Sequence, residues 1–195
     1  MVKFLRTAVK VIMKKLFIVF AMLISYLASA QTQVGRRPFE AEIGVNASYG
    51  LNHFDPFTGW YIAARYNYAN IPFDLGMEYS NVSFYNKKKD NYYKNENIKV
   101  VSNYNFYGIK NFTPFVGMGA GMAWNEFHDE YYNGDSVGRY VKRSLILTPR
   151  VGFEVFDHVR FMVEYNLFPT FEGHYKDSHH LEFKLGIAFG GGKKN

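Results

Sequence analysis

The strongest constraint on this chain is a period-two alternation of apolar and polar residues that recurs eight times after residue 38. From Phe39 to Tyr49 every second residue is apolar or aromatic, and the residues between them are Glu, Gly, Asn or Ser. A period of two is that of a β-strand whose two faces meet different surroundings. Eight strands and no helix are therefore predicted, at 39–49, 60–68, 73–80, 98–106, 116–124, 144–154, 159–167 and 181–189.

The predicted connections alternate in length. Three are tight, at 69–72, 110–111 and 157–158. Four are long and polar, at 51–59, 86–97, 125–138 and 169–179. Short turns at one end and long loops at the other predict an up-and-down antiparallel barrel with the asymmetry of outer-membrane barrels.

One strand face carries almost all of the charge, and its charges nearly balance. We predict that twelve of these residues form a charge network in a side-chain-filled lumen: Glu40, Glu42, Arg65, Asp74, Glu78, Lys99, Arg150, Glu154, Arg160, Glu164, Glu182 and Lys184. A soluble lipocalin-like carrier shows the same alternation with its apolar face turned inward. Seven glycines on the charged face and aromatic residues near the strand ends favour the membrane form, with the charged face inside. The predicted fold class is thus all-β, an eight-stranded antiparallel transmembrane β-barrel.

Three positions fit the alternation poorly. Pro149 cannot donate to a strand ladder, which predicts a bulge in the sixth strand. The alternation slips at Asn81 and Val82, which predicts that the third strand bulges or leaves the membrane there. Arg143 falls on the apolar face, so we expect it above the aromatic rim, with the embedded part beginning near Leu145.

The first thirty residues have the layout of a secretory signal. A basic start is followed by an apolar stretch and by Ala28-Ser29-Ala30, which predicts cleavage before Gln31; Met13 is an alternative start. The predicted organisation is a signal peptide at 1–30, a periplasmic lead-in at 31–38, an outer-membrane barrel at 39–189 and a tail at 190–195. The formal charge of +6 includes five basic residues of the signal, a region without acids, so the charge gives no support for nucleic-acid binding.

Two segments carry a family resemblance. The glycine-rich strand from Thr113 to Gly121 resembles those of small outer-membrane barrels of the OmpA-like or OmpX-like "porin family". Lys184, Gly186 and Phe189 in the last strand are similar to the C-terminal assembly signal of such proteins, although here six residues follow Phe189. The resemblance implies outer-membrane lipid, lipopolysaccharide and the barrel-assembly machinery as partners, in addition to an unidentified extracellular ligand.

Catalysis and metal binding are the weaker alternatives. Five histidines fall in the long segments, beside Asp and Glu, and loops that converge at one mouth could hold zinc or copper: His53, His128, His174, His179 and His180. His53, Asp55 and Ser136 could serve a lipid-modifying enzyme, but the His-x-Ser-Asn motif of barrel deacylases is absent. We therefore predict a structural or surface-interaction barrel with no cofactor, no metal and no catalysis, and a small passive pore as the alternative.

Overall fold

The computed structural model describes residues 37–50, 53–68, 71–86, 91–107, 109–132, 135–169 and 179–191, without the side chains of 50, 53–56, 84–86, 91, 127–132 and 135–140. Within these ranges the chain forms β-strands and no helix. In particular, the described part contains no helix long and apolar enough to cross a membrane. The predicted signal peptide and its cleavage site lie outside the described residues.

Eight antiparallel strands close into a barrel in which β8 pairs back onto β1. The strands are β1 (Phe39–Gly50), β2 (His53–Asn67), β3 (Phe73–Asn86), β4 (Asn91–Asn105), β5 (Phe112–Tyr132), β6 (Asp135–Val155), β7 (Val159–Asn166) and β8 (His180–Gly190). Each strand pairs with its neighbours in sequence, which is up-and-down topology. The predicted fold class is confirmed.

The strands are staggered around the barrel. The line of cross-strand neighbours that starts at Ser48 passes through β8, β7, β6, β5, β4 and β3 and arrives at Asn67 on β2. The Asn67 N–H then donates to the carbonyl of Pro38 at 2.7 Å, ten residues before the starting point on the chain. A barrel with such a stagger has strands tilted by about 35–45° from its axis. Residues far apart along neighbouring strands therefore meet at the same height in the lumen.

The alternation predicted from sequence separates the two faces of every strand. The outward side chains are large and apolar, and many remain about half exposed, including Ile43, Val45, Val100 and Leu145. The inward side chains are mostly polar or charged and almost completely buried. The pairing of β2 with β3 runs without a register shift through Asn81 and Val82. Of the two predicted alternatives, the bulge is therefore wrong, and Val82 is a buried inward residue.

The connections differ from the sequence prediction at one end of the barrel. We call the end with the 68–72, 106–111 and 156–158 connections the turn end, and the opposite end the loop end. Most of the predicted loops 51–59, 86–97 and 125–138 is strand, because β2, β4, β5 and β6 all extend past the apolar band. Beyond that band the outward side chains become polar while the inward ones, such as Asn95 and Asn125, stay buried, so strand pairing continues where the apolar–polar alternation of the sequence ends.

Pro149 interrupts one ladder without producing the predicted bulge. The β6–β7 pairs run from Val155↔Val159 to Arg150↔Glu164 and then stop at Pro149. The isolated bridge Leu147↔Leu167 keeps the same register beyond the gap. The pairing of β5 with β6 passes Pro149 unbroken, opposite Met118. The proline therefore presents its nitrogen, which has no hydrogen, toward β7, and it removes ladder bonds there without inserting a residue.

Aromatic side chains collect on the outer surface near both ends. At the turn end, Phe39 packs edge-to-face on Tyr66 with centroids 5.3 Å apart, and Phe73 packs on Tyr104 at 5.0 Å. Nearer the loop end, Tyr49, Trp60, Trp124 and Tyr165 occupy outward positions. The predicted fourth strand, 98–106, extends one residue too far: Phe106, whose apolar side chain the alternation would turn outward, follows the end of β4 and is buried against Tyr104.

Candidate functional site

The interior of the barrel is the candidate site, and its turn end contains a cluster of arginines and acids. We call Glu40, Glu42, Arg65, Glu154 and Arg160 the turn-end cluster. Arg65 Nη1 lies 3.0 Å from Glu40 Oε1 and also bonds Glu42. Arg160 bonds Glu154 and lies 3.0 Å from Glu40 and 3.5 Å from Glu42. All five side chains are at most 2% exposed, so these charges interact with one another in an interior that is shielded from water.

Asp74 lies at the same end, but its carboxylate accepts hydrogen bonds from backbone and side-chain amides. Its carboxylate accepts from Asn103 N at 3.1 Å, from Asn103 Nδ2 at 2.8 Å and from Asn105 Nδ2 at 3.0 Å. Hydrogen bonds to a charged carboxylate are stronger than those to a neutral acceptor. The two asparagines therefore hold a carboxylate in the wall between β3 and β4.

A ring of four alternating charges crosses the middle of the lumen. We call Glu78, Lys99, Glu164 and Lys184 the central ring. Lys99 Nζ lies 3.0 Å from Glu78 Oε1 and 2.7 Å from Glu164 Oε2. Lys184 Nζ bonds the same Glu78 oxygen and lies 2.9 Å from Glu164 Oε2. The four residues come from β3, β4, β7 and β8, so each lysine joins two opposite walls of the barrel.

Arg150 binds both glutamates of the central ring. Its Nη1 lies 3.1 Å from Glu78 Oε2, and its Nη2 lies 3.3 Å from Glu164 Oε1. Each glutamate therefore meets lysine with one oxygen and arginine with the other. The side chains of all five residues have no exposed surface.

Toward the loop end the interior changes from ionic to neutral polar side chains. We call this set the amide layer: Asn46, Ser80, Asn95, Asn97, Asn125, Ser144, Thr148 and Asn166, all buried. A chain of hydrogen bonds runs from Asn97 to Asn95 at 2.9 Å, on to Asn125 at 2.6 Å and then to Ser144 at 3.2 Å. A layer of this kind rigidifies the wall without any net charge.

Glu182 joins the amide layer to the central ring. Its Oε1 accepts from Asn46 Nδ2 at 2.6 Å and from Ser80 Oγ at 3.0 Å, and it lies 3.4 Å from Lys184 Nζ. Its Oε2 accepts from Asn166 Nδ2 at 2.6 Å. The carboxylate is therefore surrounded by donors from β1, β3, β7 and β8.

Aromatic rings fill the space between the charged clusters, a feature that the sequence analysis did not predict. Tyr61, Phe115 and Met162 form a buried group. Lys184 Nζ lies 4.9 Å from the centroid of the Tyr61 ring, and the Arg160 guanidinium lies 5.2 Å from that of Phe115. Such cation–π contacts add to the stability of desolvated cations. The sequence signal for these rings was an aromatic or apolar residue at one of the alternating strand positions that otherwise carry charged residues.

Gly44 and Gly186 make room for the Tyr61 ring. They face each other across β1 and β8, and an added Cβ on either one would overlap Tyr61. The Tyr61 hydroxyl donates to Glu42, so the ring links the turn-end cluster to the level of the central ring. Glycine is therefore required at these two inward positions because any side chain there would collide with the Tyr61 side chain.

Near the loop end, histidine and phenylalanine side chains pack together in the interior. The His179 ring stacks on Phe168 with centroids 6.1 Å apart, and its Nδ1 accepts from the Phe168 N–H at 3.0 Å. His180 is 1% exposed and lies 2.9 Å from Asn166 Nδ2. Among the described residues no three His, Asp or Glu side chains are grouped so as to hold a metal ion. The side chains of the other candidate metal ligands, and of the candidate triad His53, Asp55 and Ser136, lie outside the described part.

Outside the barrel, a polar cluster marks the end of the apolar band on β3 and β4. The band on β4 begins at Ile98, and Glu96 lies beyond it. Glu96 Oε1 accepts from Tyr79 at 2.9 Å and from Asn81 at 3.2 Å, and it pairs with Lys94 at 2.9 Å. The hydrogen bond from Lys94 lowers the pKa of Glu96, although the pair is too exposed to add much stability.

The comparisons with known proteins agree with this architecture. Neisserial surface protein A superposes with a TM-score of 0.58 at 13% identity, over 78% of this chain and 95% of that one. Ail, the attachment invasion locus protein of Yersinia pestis, superposes with a TM-score of 0.51 at 12% identity, over 80% of this chain and 99% of that one. This chain has the fold of a small outer-membrane β-barrel. No family model and no curated protein matches the sequence of this barrel.

The structure places all twelve predicted network residues in the lumen of the barrel. It divides them among the turn-end cluster, the central ring with Arg150, and the separate carboxylates Asp74 and Glu182. The three residues of the predicted assembly signal have different positions: Lys184 belongs to the central ring, Gly186 faces Tyr61, and Phe189 is exposed on the outer surface. Their role in assembly stays a prediction.

Proposed function

We propose that this protein spans the outer membrane as a closed barrel, conducts no solutes, and presents its loop end at the cell surface for structural or interaction purposes, without catalysis. The observation that carries the proposal is its inside-out distribution of polarity. Apolar side chains cover the outside, while ionised groups fill the inside. That arrangement suits a barrel whose solvent is lipid.

The outer surface supports a position in the membrane and not a soluble carrier. Val45, Met77, Met118 and Ile187 are each more than half exposed, and they belong to a band that surrounds the barrel. Soluble monomers rarely expose contiguous apolar patches above a few hundred Å². Lipid removes that cost, and the aromatic residues near both ends match the two membrane interfaces.

The central ring supports a closed lumen. An eight-stranded barrel has an interior only just wide enough for its side chains. Here two lysines tie Glu78 to Glu164 across that interior, and Arg150 binds the same two carboxylates. Opening a path would separate buried charges in a medium of low dielectric constant, which is strongly unfavourable.

The orientation follows from strand number and from the predicted signal. Eight strands return the chain to the side on which it started, so Phe39 and Gly190 both lie at the turn end. In outer-membrane barrels short turns face the periplasm and longer connections face outward. We infer that the turn end is periplasmic. A surface-interaction role also fits the name of Ail, an attachment invasion locus protein with the same fold.

Two measurements test this proposal. The folded protein from the outer-membrane fraction should migrate differently in detergent gels before and after boiling, as membrane barrels do and soluble carriers do not. An epitope inserted at Lys88, between β3 and β4, should be accessible on intact cells, whereas one placed after Asn195 should be hidden. An unchanged migration would refute the membrane barrel, and the reverse accessibility would refute the orientation.

A further inference from the structure

The outer wall of the barrel carries a groove of about 920 Å³ across β2, β1, β8, β7 and β6, which we call the wall groove. Its two sides are adjacent rows of outward side chains that are neighbours across the strand ladders. The row nearer the loop end consists of Thr58, Ala47, Phe183, Val163 and Val151. The row nearer the turn end consists of Trp60, Val45, Leu185, Phe161 and Phe153.

The floor of the wall groove is backbone. Between the two rows lies a third row of neighbours, Gly59, Asn46, Lys184, Met162 and Gly152. The polar members of this row face the lumen, where Asn46 donates to Glu182 at 2.6 Å and Lys184 lies 2.9 Å from Glu164. Their side chains therefore leave the outer surface recessed along this row.

The sides of the wall groove are apolar and held in place by ring contacts. The Phe153 and Phe161 rings stack with centroids 5.1 Å apart, and Phe183 packs edge-to-face on Tyr49 at 6.0 Å. Ala47 has the smallest side chain of the two rows and is half-buried beside Phe183. The recess is thus lined by fixed aromatic rings, with its most open point at an alanine.

The dimensions of the wall groove suit one extended hydrocarbon chain. Four spacings between strands give it a length of about 19 Å, and a separation of two residues along each strand places its sides about 7 Å apart. An α-helix with its side chains is about 10–12 Å across, which is too wide to enter. A second barrel has a convex wall, so it would touch the rims and leave the floor uncovered.

The wall groove descends from the loop end toward the turn end. On β2 it begins between Thr58 and Trp60, and Trp60 lies seven residues from Asn67, the turn-end terminus of that strand. On β6 it ends at Phe153, which is two residues from the terminus Val155. Since the strands are tilted by about 35–45°, the groove spans about 11–14 Å along the barrel axis. One leaflet of the hydrocarbon core is about 15 Å thick, half of about 30 Å.

We propose that the wall groove binds one acyl chain of a lipid from the loop-end leaflet, in a fixed position and with slower exchange than the lipids around the rest of the barrel. This inference rests on the proposed position in the membrane. The groove is continuous with the apolar band, so acyl chains are the molecules that reach it. A chain that moves from fluid lipid into the groove gains no hydrophobic energy, so its binding comes from van der Waals packing against the two rows and the floor.

Photolabelling of the full-chain barrel in vesicles tests the position of the chain. The probe is a phosphatidylcholine that carries a diazirine at the end of one acyl chain. Labels on Val151 and Phe153 should exceed those on Met118, an exposed band residue outside the groove, by about fivefold or more, because packing gains accumulate over many contacts. Equal labelling of the three residues would overturn the proposal.

A matched pair of variants shows whether the groove causes this labelling. Ala47→Phe puts a ring into the groove and should lower the labels on Val151 and Phe153 to the level of Met118. Ala120→Phe adds the same ring to an exposed, outward alanine on β5 and should leave the pattern unchanged. A pattern that Ala47→Phe does not alter, or that both variants alter equally, would contradict a chain in the groove.

Native mass spectrometry tests the occupant. The barrel released from vesicles into mild detergent should retain one lipid per chain, as should the Ala120→Phe protein, whereas the Ala47→Phe protein should retain none. A native protein without lipid, or the mass of a dimer, would overturn the proposal. The migration of the same samples before and after boiling keeps the two proposals distinguishable: a protein that shows the shift but labels evenly is a membrane barrel without the chain site.

Discussion

Glu78 on β3 and Glu164 on β7 lie on opposite walls of the barrel and are held together by the same two lysine ammonium groups. Lys99 reaches them at 3.0 and 2.7 Å, and Lys184 bonds both as well. The lysines come from β4 and β8. Two pairs of neighbouring strands, β3 with β4 and β7 with β8, are therefore joined through the lumen. The barrel is thus stabilised across its interior as well as around its wall.

Removing one lysine of the central ring should destabilise the protein strongly. Lys184→Met leaves carboxylates buried without one of their cations, a change that costs about 3–5 kcal/mol in the free energy of unfolding. Lys110→Met, which changes an exposed lysine at the turn end, should stay within about 0.5 kcal/mol of the native protein. Urea unfolding in lipid vesicles measures both. Equal small effects would show that the central ring contributes little.

Gly186 should tolerate no side chain, whereas Gly119 should accept one. Gly186→Ala puts a methyl group into the space of the Tyr61 hydroxyl and the Glu42 carboxylate, and overpacking of this kind costs about 1–3 kcal/mol. At Gly119 the nearest atom to an added Cβ is a Val101 methyl at 3.2 Å, and the next is 3.5 Å away. Thermal or urea unfolding of the two alanine variants provides the comparison. A Gly119→Ala protein as unstable as Gly186→Ala would refute the steric explanation.

A charge placed in the outer apolar band should be costly only where lipid surrounds the barrel. Val100 is 53% exposed and lies on β4 within the band, so Val100→Lys should cost about 2–4 kcal/mol in a bilayer. Ser83 is also outward and exposed but pairs with Lys94 beyond the band, so Ser83→Lys should cost at most about 1 kcal/mol. Folding titrations into vesicles measure both costs. If the two lysines are equally tolerated, the band does not face lipid.

Replacing Pro149 should complete the β6–β7 ladder. Pro149 stands opposite Tyr165 in the register that is shared by the pairs on either side of the gap. Pro149→Val supplies an N–H toward β7, and the added hydrogen bond should contribute about 0.5–1.5 kcal/mol. The new amide should be protected from hydrogen exchange in NMR spectra of the folded protein. Fast exchange at position 149 would mean that the strands separate there for another reason.

The sequence predicted the fold because lipid outside and charge inside impose a strict alternation. Wherever that contrast exists, as from Phe39 to Tyr49, the strand and its inward face follow from the residues alone. Beyond the band the contrast disappears, and the continuation of β5 to Tyr132 was therefore predicted as loop. The bulge expected at Pro149 was wrong because sequence shows that an N–H is missing but not toward which neighbour it would have pointed.

The sequence predicted which residues belong to the candidate site, but it did not predict how their side chains are arranged. Period two identified the inward charges, but their heights in the lumen depend on the stagger between strands, which no single strand reveals. Glu78 and Lys184 are 106 residues apart in sequence and bonded in the structure. The packing of Tyr61 and Phe115 between the charged clusters was not predicted, because period two gives the face on which a side chain lies and not the neighbours that it meets there.

The central claim is that side chains close the lumen, and planar-bilayer recording of the purified protein tests it most directly. The native barrel should insert without steady conductance. A variant in which Glu78, Lys99, Glu164 and Lys184 are all replaced by alanine loses the ionic ring that crosses the interior, and it should show discrete open channels if it folds. Steady, well-defined channels from the native protein, seen at the same protein concentration in repeated preparations, would contradict the closed barrel and establish a small passive pore.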